Sequence, residues 1–446
     1  MPPRETSPRP MAPGVEERPQ DRFGNRYAPG LPYARGQILK ETRDDYRKLR
    51  HAWRLLAERI RALGPASVFN LSGLTRTLVA DPALVYDDEL APALYLDRLT
   101  DLALRHLGGT RDRHDIALFN RQSAALFAAV LALVERGHTV VGVSPTYSHP
   151  AVTRPVALVG ARFVDAVGWE GFQAAAAREP CIDVVVLTRL SVSYEILPSA
   201  DLDRIVRLAR DRGALILVDD AGGARVGPAV FRQPRTLEMD VDMGATGLDK
   251  YGTLGPRLGL LGGRKDIVDR VRSRAFEYGL EARPMLYPAA VRSLEQYSEE
   301  RVRDLVACTQ EVANHLEALL GPRVRRSPVA VQVPADDVLE LALERAGLSA
   351  GKAPIVPYEA TAAVAMLLLR DHGIVTVHFA GMPPGTSALL FKFVPPETLD
   401  RLGGAARLAQ AVDESISRLA AMLADPAQLR TLFFGSDDSE TQGGNR

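Results

Sequence analysis

Apolar residues recur along this chain in two rhythms, and the change from one to the other marks out its parts. Between residues 37 and 63, Tyr46, Leu49, Trp53, Leu56, Ile60 and Leu63 fall three or four apart, the spacing of one face of an amphipathic helix. Arg43, Arg47, Lys48, Arg50, Arg54, Arg59 and Arg61 decorate its other faces, so the pattern predicts a helix with a solvated basic surface. From 115 to 265 the texture becomes short apolar runs: IALF (116–119), VVGV (140–143), VVVLT (184–188), ALILVD (214–219) and LGLLGG (258–263). Helical patterns such as QSAALFAAVLALVER and SADLDRIVRLARDRG separate several of them. Strands buried on both faces and alternating with helices predict a mainly parallel α/β sheet. After a helical stretch over 286–320 come VAVQV, a helix near 356–371, GIVTVHF, SALLFKF and a helix near 403–423, which predict a smaller α+β domain.

The expected organisation is therefore a flexible tail over 1–35, an N-terminal helix over 36–66, a large α/β domain over 67–310, a small α+β domain over 311–435 and a disordered tail over 436–446. The first tail is rich in Pro, Arg and Gly and too poor in aliphatic side chains to offset its ordering entropy. Composition narrows the function classes. The 446 residues carry 55 Lys+Arg against 55 Asp+Glu, which leaves no global field for gripping nucleic acid or an anionic membrane. Residues 1–65 hold 14 basic and 8 acidic side chains, a local excess compatible with some phosphate contact, but nucleic acid is an unlikely partner for the neutral whole. No stretch nears the roughly 20 apolar residues that cross a bilayer, and the first residues contain no apolar signal core. Two cysteines, Cys181 and Cys308, are too few for a disulfide framework and lack zinc-site spacing. These features lead us to expect a cytoplasmic protein with no metal site.

Three features in chain order carry candidate chemistry. The strand IALF leads into a helix opening at Gln122, Ser123 and Ala124, and such a turn exposes free N–H groups at the positive end of the helix dipole, suited to a phosphate. The strand LILVD ends in Asp219 and Asp220, followed by Ala221 and two glycines, which places carboxylates at the crevice where ligands of open α/β sheets bind. Lys250 lies in GATGLDKYGTLG, just before another apolar strand. A lysine set among small residues is open to desolvation and to use as an amine nucleophile.

This order resembles the fold-type I pyridoxal-phosphate enzymes of the aminotransferase superfamily. VDDA matches the strand-end acid pattern, and TGLDK matches the cofactor-lysine turn. Within the superfamily, FNLSGL (69–74), FNRQSAA (119–125), GLDKYGTLGPRLGLLGG and MLYPAAVRSLEQY look most like bacterial selenocysteine synthase, the L-seryl-tRNA selenium transferase, and its small-molecule relatives. The likeness covers about residues 67–300 well. It implies that Lys250 forms the Schiff base with pyridoxal 5'-phosphate and that Asp219 holds the pyridine nitrogen protonated, making the ring an electron sink. It implies further that Ala221 packs on the ring, that Gln122 and Ser123 bind the phosphate with Thr246 adding a hydroxyl, and that His149 stacks over the ring. Ser191 and Ser193 are weaker candidates for contact with the ring hydroxyl. A homodimer or higher homo-oligomer is implied, with residues around Gly255 and Pro256 reaching the neighbouring phosphate.

Two departures from the family pattern stand out. Gly222 occupies a position where many relatives carry histidine, and Lys392 in LLFKF stands where many carry a carboxylate-gripping arginine. Lys392 is therefore the candidate substrate-binding residue, as a point charge rather than a bidentate fork. The reading as a whole is an enzyme acting on a small amino-acid derivative through a Cα carbanion, of lyase or β-replacement type. Amino transfer, oxygen-dependent decarboxylation and aminoacyl-tRNA modification are the alternatives.

Overall fold

The computed structural model describes residues 19–78, 81–349, 351, 353–379 and 384–436. Helix α1 (Thr42–Leu63) and the two-residue strand β1 (Phe69–Asn70) lead into the large domain. There the chain runs α2 (Leu90–Leu107), β2 (His114–Phe119), α3 (Gln122–Leu133), β3 (Thr139–Ser144), α4 (Pro150–Val159), β4 (Arg162–Val167), α5 (Gly168–Arg178) and β5 (Val184–Leu187). It continues as α6 (Ser199–Asp211), β6 (Leu215–Asp219), α7 (Gly223–Phe231), β7 (Met243–Gly247), β8 (Gly259–Arg264), α8 (Lys265–Tyr278) and α9 (Tyr287–Glu295).

The seven strands form one sheet in the order β2-β8-β7-β6-β5-β3-β4. Only β8 runs against its neighbours, so the other six strands end on the same side. The sheet is mostly parallel, as the apolar runs predict. Val140, Val141, Val185, Leu187, Ile216 and Val218 are buried because helices cover both faces. Two strands escaped the sequence pattern. Strand β4 (RFVDAV) lies at the sheet edge, half exposed and without clean alternation, and β7 (MGATG) is built from small residues of low strand propensity. Burial between β6 and β8 makes β7 a strand despite its composition.

Helix α10 (Glu299–Leu320) carries the chain into the small domain. Strands β9 (Arg325–Ser327) and β10 (Ala330–Val333) are followed by α11 (Ala335–Ala346), α12 (Pro357–His372), β11 (Ile374–Val375) and β12 (Leu389–Lys392). Helices α13 (Pro396–Leu402), α14 (Gly404–Met422) and α15 (Pro426–Phe434) close the domain. Strands β12, β10 and β9 pair antiparallel, while β11 pairs in parallel with β1. GIVTVHF is thus a strand only over Ile374–Val375 and turns into a 3-10 helix at Val377–Phe379.

The N-terminal region departs from expectation twice. Residues 19–35 are docked rather than loose: Arg22 pairs with Asp336 and Asp337 of α11, and Tyr33 stacks on Tyr358 of α12 with ring centroids 4.4 Å apart. A few strong anchors suffice where the average composition does not; residues 1–18 and 437–446 lie outside the described residues. Helix α1 packs on the small domain with its polar side inward. Asp45, Lys48 and Ala52 are buried, Arg35 reaches Asp45 at 2.8 Å, and Tyr358 donates to the same carboxylate. Part of the apolar stripe is exposed, with Tyr46 47%, Trp53 51% and Ile60 40% exposed, while Leu56 packs against the core of the small domain.

Candidate functional site

The shared end of the six co-directional strands gathers the residues singled out from the sequence. Asp219 closes β6, Gln122 opens α3 after β2, Lys250 follows β7, and His149 lies in the segment after β3. The contacts among three of them are direct. The Lys250 ammonium donates to Gln122 Oε1 at 2.5 Å, and Gln122 Nε2 donates to Asp219 Oδ1 at 2.6 Å. The amide of Gln122 therefore bridges a buried acid and a half-buried amine. The sequence reading gave Gln122 only a backbone role; its side-chain role has no signature in the local pattern, because the bridge spans three strand ends.

Burial dominates the electrostatics. It raises the Asp219 carboxyl to about 6, although Lys250 pulls the other way, and it lowers Lys250 against the pull of Asp249 and Asp219. His149 accepts from the Ala151 N–H through Nδ1 at 3.0 Å, capping α4. Burial, with Lys250, Arg154 and Lys392 nearby, holds this imidazole down at about 4, so it is neutral at physiological pH.

The two acids after LILV have separate tasks. Asp220 is wholly enclosed, held by Arg189 through two guanidinium nitrogens and by Thr236 Oγ1 at 2.6 Å. It belongs to the frame. Asp219 faces Gln122 and Lys250. Thr246 is also enclosed; its hydroxyl accepts from Arg225 Nη1 at 3.1 Å and donates to the Ala221 carbonyl at 3.4 Å. Ser191 and Ser193 bond to each other at 2.8 Å, and Thr146 reaches Ser193 at 3.2 Å.

An arginine cluster missed in the sequence sits beside this bridge. Asp249 binds Arg76 at 3.1 Å, with Arg257 3.9 Å away. Arg121, the residue preceding α3, adds to the field that, after burial, lowers Arg257 to about 10. One carboxylate among three guanidiniums leaves net positive charge next to the N-terminus of α3, in the region of Gln122 and Ser123. The visible clue was Arg257 directly after Gly255 and Pro256.

Lys392 is buried rather than open to a ligand. Its ammonium donates to Tyr194 Oη and, at 3.1 Å, to Tyr251 Oη, and the two phenols bond to each other at 2.7 Å. Phe393 stacks on Tyr251 at 3.7 Å. Tyr194, Tyr251 and Phe393 all have positive φ, of 66°, 39° and 46°, a concentration of backbone strain of the kind that functional sites retain. Two glycines make the arrangement possible. A Cβ on Gly73 would stand 2.2 Å from the Lys392 carbonyl oxygen, and one on Gly222 would stand 2.7 Å from the Tyr251 ring and from Leu190. A histidine at this position would collide with Tyr251 and Leu190, so a Gly222→His variant is expected to lose at least about 2 kcal/mol of stability in chemical denaturation.

The donor set suits pyridoxal phosphate. An enclosed carboxylate and a desolvated amine share one bridging amide, and a guanidinium cluster stands at a helix N-terminus. The hydroxyls of Ser144 and Thr188, buried at the ends of β3 and β5, have no hydrogen-bond partner among the described residues.

No protein-family model matches the chain. Solved structures share the fold: alanine–glyoxylate aminotransferase from Nostoc sp. aligns with a TM-score of 0.56 at 16% identity, over 78% of this chain and 95% of that one. Serine palmitoyltransferase from Sphingomonas wittichii aligns with a TM-score of 0.54 at 17% identity, over 83% and 84%. Among curated proteins, a UPF0425 pyridoxal phosphate-dependent protein of Methanosphaera stadtmanae is 25% identical over 369 residues, covering 81% of this chain and 92% of the relative. A counterpart in Methanothermobacter thermautotrophicus is 30% identical over 403 residues, covering 89% of this chain and 100% of the relative. With that coverage, and with the fold-type I architecture around the Lys250–Gln122–Asp219 bridge, this chain belongs to the UPF0425 family of pyridoxal phosphate-dependent proteins.

Proposed function

We propose that this chain is a pyridoxal-phosphate enzyme that acts on a small amino-acid derivative through a carbanion at Cα, by elimination or β-replacement ahead of amino transfer. The observation that carries the cofactor reading is the bridge from Lys250 through Gln122 to Asp219. Lys250 would hold the cofactor aldehyde carbon covalently, Asp219 would face the ring nitrogen, and Ala221 and His149 would flank the ring. Gln122 and Ser123 would present N–H groups to the phosphate, with Arg121 and Arg257 supplying charge. When bound, the cofactor supplies an electron-accepting ring that stabilises negative charge at the substrate Cα.

The protein's own residues prepare that chemistry. Burial lowers the proton affinity of Lys250, so its nitrogen is more readily available as a nucleophile or a base at neutral pH. The neutral imidazole of His149 offers a flat face without adding positive charge. The preference for elimination over amino transfer rests on the sequence likeness to selenocysteine synthase. The experiment is to add a panel of amino acids to purified, cofactor-loaded protein, follow cofactor absorbance, and identify products by mass spectrometry with and without oxygen. Release of a β-substituent supports the reading. Stoichiometric conversion of the cofactor to its pyridoxamine form with release of a keto acid establishes amino transfer instead, and oxygen uptake with carbon dioxide release establishes oxidative decarboxylation.

The same reading includes a homodimer. Leu90 and Leu94 on α2 are 55% and 57% exposed, and Leu78 and Leu254 in loops are 49% and 38% exposed, apolar side chains that a partner subunit would cover. Next to Leu254, a cavity of about 200 Å³ is lined by Thr77, Asp81, Gly255, Arg292 and Gln296. Tyr46, Trp53, Ile60 and Leu63 of α1 are further exposed apolar side chains. Light scattering at micromolar concentration is expected to give twice the 48.5 kDa chain mass, and a monomer with full activity overturns the assignment. Among the described residues no helix is long and apolar enough to cross a membrane.

A further inference from the structure

Among the described residues two arginines are wholly enclosed, Arg189 and Arg225, and the fold treats them differently. Arg189 turns its Nε–Nη2 edge onto Asp220, one nitrogen to each carboxylate oxygen, and gives Nη1 to the Pro234 carbonyl at 2.6 Å. Arg225, in the first turn of α7, gives Nη1 to Thr246 Oγ1 at 3.1 Å. Its Nε and Nη2 are buried with no hydrogen-bond partner among the described residues, and no carboxylate of those residues lies within ion-pair distance. A guanidinium held in the interior without a counter-charge is among the costliest arrangements a fold can keep.

We propose that Arg225 forms an internal anion site, whose Nε–Nη2 edge holds a small monovalent oxyanion with two coplanar oxygens, of the formate or bicarbonate class. The shape follows from the edge. Nε–H and Nη2–H point the same way and match two oxygens on one trigonal centre, the match that Arg189 makes with Asp220. The size follows from the enclosure, since both nitrogens are shielded from solvent. The single charge follows from the surroundings, where one guanidinium is the cation and Asp220 and Asp249 already add negative charge nearby.

The neighbouring acids of the chain are engaged elsewhere. Asp220 is committed to Arg189 and Thr236, and Asp249 to Arg76, with Arg257 3.9 Å away. Of the phenols nearby, Tyr251 bonds to Tyr194 and Lys392, and burial pushes Tyr297 up to about 12, so it stays protonated. The phosphate proposed beside α3 lies on the other side of the sheet. Asp219 and Ala245 are register partners on parallel strands, so their side chains share one face, where Ala245 packs in a cluster with Ala124 and Ala125 of α3. Thr246, the next residue, points to the opposite face, and Arg225 meets it there. The two sites are joined only through the Ala221 carbonyl, which accepts from the Thr246 hydroxyl at 3.4 Å two residues after Asp219.

The test uses cofactor-loaded protein in a zwitterionic buffer free of carboxylates and carbonate. Sodium formate is expected to raise the melting midpoint saturably, by roughly 3 °C or more, and sodium chloride at equal ionic strength should not reproduce the rise. Sodium bicarbonate, titrated in the same way, ranks the two members of the class. Arg225→Met removes the charge and keeps an unbranched side chain. Without formate this variant should melt at or above the wild type, and formate should no longer raise its midpoint. The wild type decides even where the variant fails to fold: crystals grown with formate should show a planar three-atom anion about 3 Å from both Nε and Nη2. A rise equalled by chloride, a rise that does not saturate, or a formate response undiminished in Arg225→Met overturns the site. Water or a protein carboxylate against the Nε–Nη2 edge in the formate crystals overturns it as well. The absorbance of the bound cofactor, recorded in the same samples, reports on Lys250 separately, so failure of the anion site leaves the cofactor reading standing.

Discussion

Replacing Lys250 by alanine is expected to abolish the borohydride-stable attachment of pyridoxal phosphate and to lower turnover on the order of 10⁴-fold or more, the scale on which enzymes lose a covalent group. The loss should be chemical rather than structural. Among the described residues Lys250 Nζ makes one hydrogen bond, to Gln122 Oε1, and removing the amine eliminates a desolvation penalty as well as a contact. Thermal melting of the cofactor-free variant should therefore stay close to that of the wild type. Peptide mapping of the reduced wild-type protein should find the cofactor mass on Lys250. Reduction that traps it on Lys392, the other amine of the site, would reverse the assignment of the two lysines. A Lys250→Ala protein that still yields a reduced adduct at some other residue and still turns over would remove Lys250 from the chemistry.

Much of this architecture was legible in the sequence, for a physical reason. Strands β3, β5 and β6 are buried on both faces, so solvent exclusion alone demands near-continuous aliphatic runs, and these show directly as VVGV, VVVL and LILV. Lys250 and Asp219 were legible because each lies within a few residues of such a run, at the strand end where a crevice must form. What could not be read was whatever depends on distant segments meeting. The side chain of Gln122 reaches Asp219 and Lys250 across 97 and 128 residues of sequence, and Lys392 finds Tyr194 across 198. The stripe on α1 shows the limit most clearly. Periodicity identified the helix and its two faces, but which face turned inward was decided by Asp45, Lys48, Arg35 and Tyr358, a polar set that no single-helix pattern can rank against Trp53 and Ile60.

The neighbouring acids Asp219 and Asp220 should respond to substitution in opposite ways. Asp220 lies at 0% exposure, bonded by Arg189, itself at 0%, and by Thr236. Asp220→Ala leaves a buried guanidinium without its counter-charge, and a loss of about 3–5 kcal/mol in chemical denaturation is expected. Asp219 is held in the folded protein at a cost. Its carboxyl is raised from 3.8 to about 6, mainly by burial, so between those values the folded state binds the proton that the unfolded state has released. Stability attributable to this group therefore falls as pH rises from 3.8 to 6, and above pH 6 the full penalty, on the order of 3 kcal/mol, is present. Asp219→Asn removes the charge and keeps an oxygen for Gln122 Nε2 to bond. In cofactor-free protein at pH 8 this variant should match or exceed the wild type by about 1–3 kcal/mol, and the difference should vanish near pH 4. Its catalytic turnover should fall by roughly 10²-fold or more, since a neutral amide cannot keep the ring nitrogen protonated. Normal turnover in Asp219→Asn together with a catalytic loss in Asp220→Asn at unchanged stability would place the functional acid one residue later. Stabilisation and inactivation appearing together in Asp219→Asn would mark this carboxylate as one that the fold tolerates for the sake of its ligand.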